Sequence, residues 1–136
     1  MISSLSPGLI LCLGGFLIPL LKGNAQRAVA LALPLVSFAN LVGFGFTGLE
    51  TGLSHQIDIM GYTMVMARVD KLSLIFGYIF HVAALLSVIY SLHVDDAKQM
   101  ASGTIYAGAG IGAVFSGDLI SLFVFWEVTA FPSVFL

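Results

Sequence analysis

Long apolar runs, separated by short polar stretches, make up most of this 136-residue chain. Five such runs cover residues 5–21, 28–49, 72–92, 100–117 and 119–136. At about 1.5 Å of rise per residue, helices of these lengths would extend roughly 26 to 33 Å, close to the hydrocarbon thickness of a bilayer. The runs are continuous rather than alternating, which favours helices over barrel strands. The pattern predicts an all-α polytopic membrane protein with about five transmembrane helices, folded as one compact unit over residues 1–136.

A longer polar stretch, residues 51–69, separates the second run from the third. Ile57 and Ile59 precede Gly61, and a second group of strand-forming residues, 62–65, follows it. Two short β-prone segments around a glycine are typical of strands joined by a tight turn. We therefore expect a small extramembrane β-hairpin between the second and third helices.

Two aspartates and two glycines predict how the helices begin and pack. Asp70 and Asp118 stand just before the third and fifth runs, where a carboxylate can accept from the first free amides of a helix. The fourth run is rich in small residues, and Gly108 and Gly112 form a small-xxx-small pair of the kind that lets helices approach closely in lipid.

Composition supports a membrane protein and excludes several partners. Hydrophobic residues make up 59% of the chain and charged residues only 9%, against about 25% charged in soluble domains. The net charge is −2, and the charges form no block that would bind nucleic acid. The single Cys12 forms neither an internal disulfide nor a metal cage. We expect no metal, no cofactor and no nucleic acid.

The basic residues between the runs predict the orientation. Lys22 and Arg27 follow the first run and Lys98 follows the third, whereas the hairpin stretch is longer and also acidic. The positive-inside rule then favours an N-terminus and a hairpin on the outer side, most simply in the inner membrane of a prokaryote. No basic segment precedes the first run, which favours a retained helix over a cleaved signal peptide.

Glu127 is the one carboxylate within an apolar run, near the predicted bilayer midplane. An ionised acid there costs at least about 2.5 kcal/mol on insertion scales. Two interpretations follow. The residue is a protonated acid that packs against a neighbouring helix, or it takes part in moving protons or ions across the membrane.

Two further titratable residues allow both a structural and a functional interpretation. His81 is the tenth of the 21 residues of the third run, and is either a neutral packed side chain or a proton relay. Asp118 is a helix cap or a point of proton entry. Hydroxyls in the spans could line a water path or bond back to their own helices.

Two segments, VDKLSLIF (69–76) and GDLISLFVFWE (117–127), together with the fourth run around Tyr106, resemble a known family. They are similar to the N-terminal part of the antiporter-like membrane subunits of respiratory complex I, Mrp-type sodium/proton antiporters and membrane-bound energy-converting hydrogenases. The resemblance implies a hairpin on the outer side and a role for Glu127 in proton translocation. It also implies a non-catalytic subunit within a larger redox-driven or antiporter complex.

Such subunits typically continue to about fourteen helices and supply a lysine partner for the glutamate, whereas here no Lys or Arg lies within an apolar run. We therefore expect other membrane subunits to supply the remaining helices and that lysine, with the chain being a split subunit or a piece of a longer product. The alternative is a non-conducting structural or anchoring subunit. A third possibility is a small transporter completed by homo-oligomers. The sequence leaves open whether protons or sodium ions move.

Overall fold

The computed structural model describes residues 6–52 and 54–136 of the chain. Within these residues five α-helices form the bundle: α1 Pro7–Gly15, α2 Gly23–Thr51, α3 Lys71–Ser91, α4 Ala97–Phe115 and α5 Leu119–Ser133. A short 3-10 helix, Ile18–Leu20, follows α1, and strands β1 Ser54–Ile59 and β2 Tyr62–Arg68 join α2 to α3. The five helices and the hairpin between the second and third are as the sequence predicts.

The first apolar run is not one continuous helix, contrary to the expectation for residues 5–21. Helix α1 ends at Gly15, and the chain resumes as a 3-10 turn that contains Pro19. A proline has no amide hydrogen, and its ring collides with the carbonyl four residues earlier, which here belongs to Gly15. Pro19 therefore accounts for the end of α1, and the first segment crosses the bundle as two short pieces.

Helix α2 is longer than the predicted 28–49, because the polar residues before it join the helix. It begins at Gly23 after Lys22 in an extended conformation, and continues through Pro34 without a break. It ends at Thr51 and is capped by Gly52, whose φ of 64° is left-handed and whose amide donates to the Gly48 carbonyl. This is the usual glycine cap, since no Cβ opposes that conformation.

The hairpin is confirmed, with its turn at Met60 and Gly61. Both residues have positive φ, 51° and 84°, which fits a two-residue turn matched to the right-handed twist of antiparallel strands. The pairing register shifts between His55 and Gln56. One face of β2 is buried through Met64 and Ala67, so the hairpin packs against the bundle.

Side-chain caps start three of the helices, and two of them confirm the expectations from sequence. The Asp70 carboxylate accepts from the Ser73 amide at 2.8 Å, and the Ser73 hydroxyl accepts from the Asp70 amide at 3.0 Å, which is a reciprocal capping box. Asp118 accepts from the Ser121 amide at 2.7 Å at the start of α5. Asp96 caps α4 in the same way.

Helix α4 lies at the centre and packs against α1, α3 and α5. Its predicted small-residue pair is confirmed as a packing surface. A Cβ added to Gly108 would lie 2.7 Å from the Cys12 backbone nitrogen, and one added to Gly112 would overlap the Phe125 ring. The missing side chains thus let α1 and α5 approach α4 closely.

By length and apolar composition, two of the described helices could cross a membrane, Gly23–Glu50 and Lys71–Ser91. The stretches Pro7–Leu20 and Leu119–Ser133 are apolar but shorter. Helix α4 has 19 residues, and its glycines and polar side chains make it less apolar than α3.

Candidate functional site

Helix α5 has one buried stripe and a broad exposed face. Ser121, Phe125 and Pro132 are buried, at spacings of four and seven residues that bring them to one side of a helix. They pack mainly against α4 and β2. The rest of the helix surface is open and apolar, with the large exposed side chains of Leu119, Ile120, Leu122, Phe123, Val124, Trp126 and Phe131.

Glu127 lies on this exposed face, two residues after buried Phe125 and so about 200° around the helix from it. It is the ninth of the 15 residues of α5. Among the residues that the structure describes, its carboxylate makes no hydrogen bond and no ion pair. The acid therefore points away from the helices of its own chain and is surrounded on its face by aromatic and aliphatic side chains.

Asp118 joins three parts of the structure through one carboxylate. Besides the Ser121 amide, it accepts from the Ser121 hydroxyl at 2.9 Å and from the Val65 amide of β2. The Val65 carbonyl in turn accepts from the Gly117 amide at 2.9 Å. A Cβ on Gly117 would overlap the Val65 side chain. Gly117 and Asp118 thus attach the hairpin to the loop between α4 and α5.

The electrostatics of Asp118 follow from these donors. The Ser121 amide, helped by the Val65 amide and the Ser121 hydroxyl, holds the pKa of the Asp118 carboxyl below its usual range. The group is therefore a fixed anion at neutral pH. Its role as a point of proton entry remains a prediction.

His81 is buried at the middle of α3, with 1% of its surface exposed. Its Nδ1 lies 2.7 Å from the Gly77 carbonyl oxygen, and its Nε2 lies 2.7 Å from the Ser37 hydroxyl of α2. The Ser37 hydroxyl is also 2.8 Å from the Pro7 carbonyl oxygen of α1. His81 is thus part of a buried polar chain that crosses three helices.

The structure does not bring the three predicted site residues together. Asp118 and Glu127 are nine residues apart on α5, roughly 13 Å along its axis. His81 lies on α3, and α4 packs between α3 and α5. No hydrogen bond or ion pair joins any two of them in the described part of the chain.

Ser37 is the residue that sequence reasoning missed. It is fully buried and contacts both His81 and α1, yet a lone serine in an apolar run gives no signal of its partners. By contrast, Thr104, Ser116 and Thr129 donate to carbonyls of their own helices, which is the structural interpretation of a hydroxyl in a span.

Other kinds of site have little support in the described residues. Across 6–52 and 54–136, no three His, Cys, Asp or Glu side chains gather in a way that could hold a metal ion. An apolar groove of about 730 Å³ lies between α1, α4 and α5. Lys98 is the charged residue in its lining, and Glu127 does not line it.

One curated relative matches almost the whole chain. It is a Na(+)/H(+) antiporter subunit of Alkalihalophilus pseudofirmus, which is 30% identical over an alignment of 148 residues that covers 98% of this chain. This chain is a homologue of that antiporter protein. The resemblance carried by the VDKLSLIF and GDLISLFVFWE segments is thereby confirmed. The chain spans 18% of the length of this homologue. No family model and no solved structure matches the chain.

Proposed function

We propose that this chain is a membrane subunit, or the N-terminal piece of one, in an ion-translocating complex, and that Glu127 binds the moving ion. The observation that carries the proposal is the position of the Glu127 carboxylate. It is exposed at the middle of α5, on an apolar helix face, and it has no partner among the described residues. A carboxylate at such a position in lipid typically pairs with a neighbouring group or takes part in ion transport.

The membrane arrangement belongs to the same proposal. All five helical segments cross the bilayer, α1 together with the 3-10 turn after it, and α5 with its last turn. The hairpin and the N-terminus are on the outer side of a prokaryotic inner membrane. Arg27 and Asp95 are then on the inner side, where they form an ion pair at 2.5 Å between α2 and the loop before α4.

The cation that pairs with Glu127 comes from another polypeptide or from further helices. The basic residues of this chain are Lys22, Arg27, Arg68, Lys71 and Lys98. All of them stand at helix ends, in loops or in the hairpin, and the described ion pair joins Arg27 to Asp95. A partner ammonium that approaches Glu127 would favour its ionised form, and one that withdraws would favour proton uptake. Alternate approach and withdrawal would load and release a proton.

The homologue is named for sodium/proton antiport, so we propose that protons move, with sodium as a second, coupled ion. No step of chemical catalysis falls to this chain. The partners are other membrane subunits and the lipid bilayer. The competing function is a structural subunit that seals or anchors a neighbouring channel, in which Glu127 is only a packing acid.

The deciding experiment replaces Glu127 by glutamine in the assembled complex. Glu127→Gln keeps the size and hydrogen-bonding capacity of the side chain but removes its titratable proton. We expect proton and sodium transport in proteoliposomes to fall to background, while the amount of assembled complex on native gels stays unchanged. Glu50→Gln is the matched control, because Glu50 is also an exposed carboxylate but lies at the end of α2.

Two outcomes would contradict the proposal. Transport by Glu127→Gln at the wild-type rate would leave the structural function as the better account. Loss of assembly in Glu127→Gln, with Glu50→Gln intact, would assign the acid to subunit packing rather than to ion movement.

A further inference from the structure

The polar chain around His81 contains three close contacts and two carbonyl ends. It runs from the Gly77 carbonyl through the two ring nitrogens of His81 to the Ser37 hydroxyl and on to the Pro7 carbonyl, at 2.7, 2.7 and 2.8 Å. Every one of these distances is that of a hydrogen bond, so each needs one proton between its two atoms.

The number of protons in this chain of contacts determines the charge of the ring. A carbonyl can only accept, so the two ends of the chain supply no proton. The Ser37 hydroxyl supplies one, and a neutral imidazole supplies one more, which leaves one of the three contacts without a proton. An imidazolium donates from both nitrogens. All three hydrogen bonds are complete only when His81 is protonated.

We propose that His81, Ser37 and the Pro7 carbonyl form a buried proton-binding site whose loaded state is the imidazolium. In that state Nδ1–H donates to Gly77, Nε2–H donates to the Ser37 oxygen, and the Ser37 hydroxyl donates to Pro7. The ligand is a proton. It is held at the centre of α3, because His81 is the eleventh of the 21 residues of that helix. The site does not involve Glu127 and does not depend on what Glu127 does.

Burial in apolar surroundings opposes a charge, and the hydrogen bonds of the site offset this cost. The imidazolium gives both of its protons to good acceptors, and hydrogen bonds from a charged donor are about twice as strong as neutral ones. The Phe38 ring packs against the His81 ring in an edge arrangement, with the two centroids 6.0 Å apart.

The surrounding helices bring no counter-charge to the ring. Among the described residues of the packed helices, the charged side chains stand at or near the helix ends: Arg27 and Glu50 on α2, Lys71 on α3 and Lys98 on α4. The other titratable groups are Cys12 on α1, Tyr78 and the exposed Tyr90 on α3, and Tyr106 on α4. The Cys12 thiol donates to the Ile105 carbonyl, Tyr78 packs on Phe38 and Tyr106 is exposed. The three hydrogen bonds are therefore the main interactions that stabilise the protonated form of His81.

Release of the proton breaks one link of the chain. When the ring is neutral and its Nδ1–H donates to the Gly77 carbonyl, Nε2 can only accept. The Ser37 hydroxyl has one proton, which it can donate either to Nε2 of His81 on α3 or to the Pro7 carbonyl on α1. Proton binding at His81 is thereby coupled to the hydrogen bonds that connect α1, α2 and α3. Loss of the proton weakens either the bond between Ser37 and His81 or the bond between Ser37 of α2 and Pro7 of α1.

Nitrogen NMR of the histidine rings tests this in the full chain, labelled with 15N-histidine and reconstituted in lipid nanodiscs. The His81 signals are assigned by their loss in His81→Gln. We expect them to pass from two protonated nitrogens to one over a titration from about pH 4 to about pH 9. In Ser37→Ala the midpoint should move at least about one pH unit lower, because the charged ring loses an acceptor.

Two matched variants make the result specific. Ser37→Thr keeps the hydroxyl and should keep the wild-type midpoint. Thr104→Val removes another buried hydroxyl, which donates within α4 to Met100, and should leave the midpoint unchanged. A single neutral tautomer of His81 throughout the titration would overturn the proposal, as would an unchanged or higher midpoint in Ser37→Ala. Since no transport is measured, the outcome is independent of the role of Glu127.

Discussion

Asp118 holds the start of α5 and the edge of β2 with the same carboxylate. Its oxygens accept from the amide and hydroxyl of Ser121 and from the amide of Val65. An alanine at this position would leave the first amides of α5 without their acceptor and would detach the hairpin from the loop below it. The residue is thus important for folding whatever its part in proton movement.

We expect Asp118→Ala to lower the free energy of unfolding by about 1 to 2 kcal/mol, the loss typical of a helix cap together with a further hydrogen bond. Thermal unfolding in detergent measures this. Asp58→Ala is the control, since Asp58 bonds to Thr63 within the exposed hairpin and its loss should have little effect. Equal losses for the two variants would contradict the role of Asp118 as a link.

The pH dependence of this effect has a definite sign. The pKa of Asp118 is lowered in the folded protein, so its stabilising effect is complete above the usual carboxyl range. It is lost as the pH falls through the lowered value, where the folded state must also take up a proton. The stability difference between the wild type and Asp118→Ala should therefore shrink in strongly acidic solution and stay constant around neutrality.

At the scale of single residues, the sequence predicts positions better than partners. Asp70 and Asp118 precede apolar runs, and a cap is a local interaction, so both are identified correctly. The Ser37–His81 contact joins residues 44 positions apart. It depends on how α2 and α3 are rotated against each other, which no local pattern specifies. The exposure of Glu127 likewise follows from the packing of Phe125 against Gly112 and not from the motif around it.

Helices α1 and α4 meet through backbone rather than through side chains. A Cβ on Gly108 would lie 2.7 Å from the Cys12 nitrogen and 2.8 Å from the Gly8 carbonyl oxygen, and backbone atoms cannot move aside cheaply. Gly110, on another face of the same helix, has nothing within 4 Å of an added Cβ. The two glycines therefore offer a matched pair for testing the α1–α4 contact.

We expect the two alanine substitutions to have opposite effects. Gly108→Ala should destabilise the bundle by about 1 to 3 kcal/mol through overpacking. Gly110→Ala should be neutral or stabilise it by up to about 1 kcal/mol, because alanine favours a helix more than glycine does. Unfolding of both variants in detergent compares them directly. A loss in Gly110→Ala as large as that in Gly108→Ala would contradict a close backbone contact between α1 and α4 at Gly108.

At the scale of elements, hydropathy finds the helices but misplaces some ends. The run 5–21 is uniformly apolar, so its pattern does not register the break that Pro19 causes after Gly15. The start of α2 is also earlier than expected, since polar residues at 23–27 continue a helix whose apolar part begins later. The hairpin was predictable because strand-forming residues and a turn glycine are local signals.

Across residues 6–52 and 54–136, no part of the chain covers the outer face of α5. Trp126 is on this face with 69% of its surface exposed, and it is the one tryptophan of the sequence. Its fluorescence therefore reports what covers α5. In lipid alone the face meets acyl chains, whereas in a complex that supplies the partner of Glu127 it meets protein.

We expect brominated lipids to quench Trp126 strongly in the isolated chain and weakly in the assembled complex, because bromine acts only on an indole in contact with the acyl chains. Acrylamide in the aqueous phase serves as the second quencher and should have little effect in either sample. Equal quenching by brominated lipid in both samples would mean that α5 faces lipid in the complex. That result would remove the surface on which the partner of Glu127 is proposed to bind.

The central position of α4 also affects how the chain is made. Helix α1 is synthesised before the other described helices, yet its main neighbour, α4, begins only at Ala97, well after α1 ends at Gly15. Before α4 is present, the backbone at Gly8 lacks the helix against which it packs, and the helix that α1 can contact is α2. The contact between α1 and α4 can therefore form only after α2, the hairpin and α3 have been synthesised.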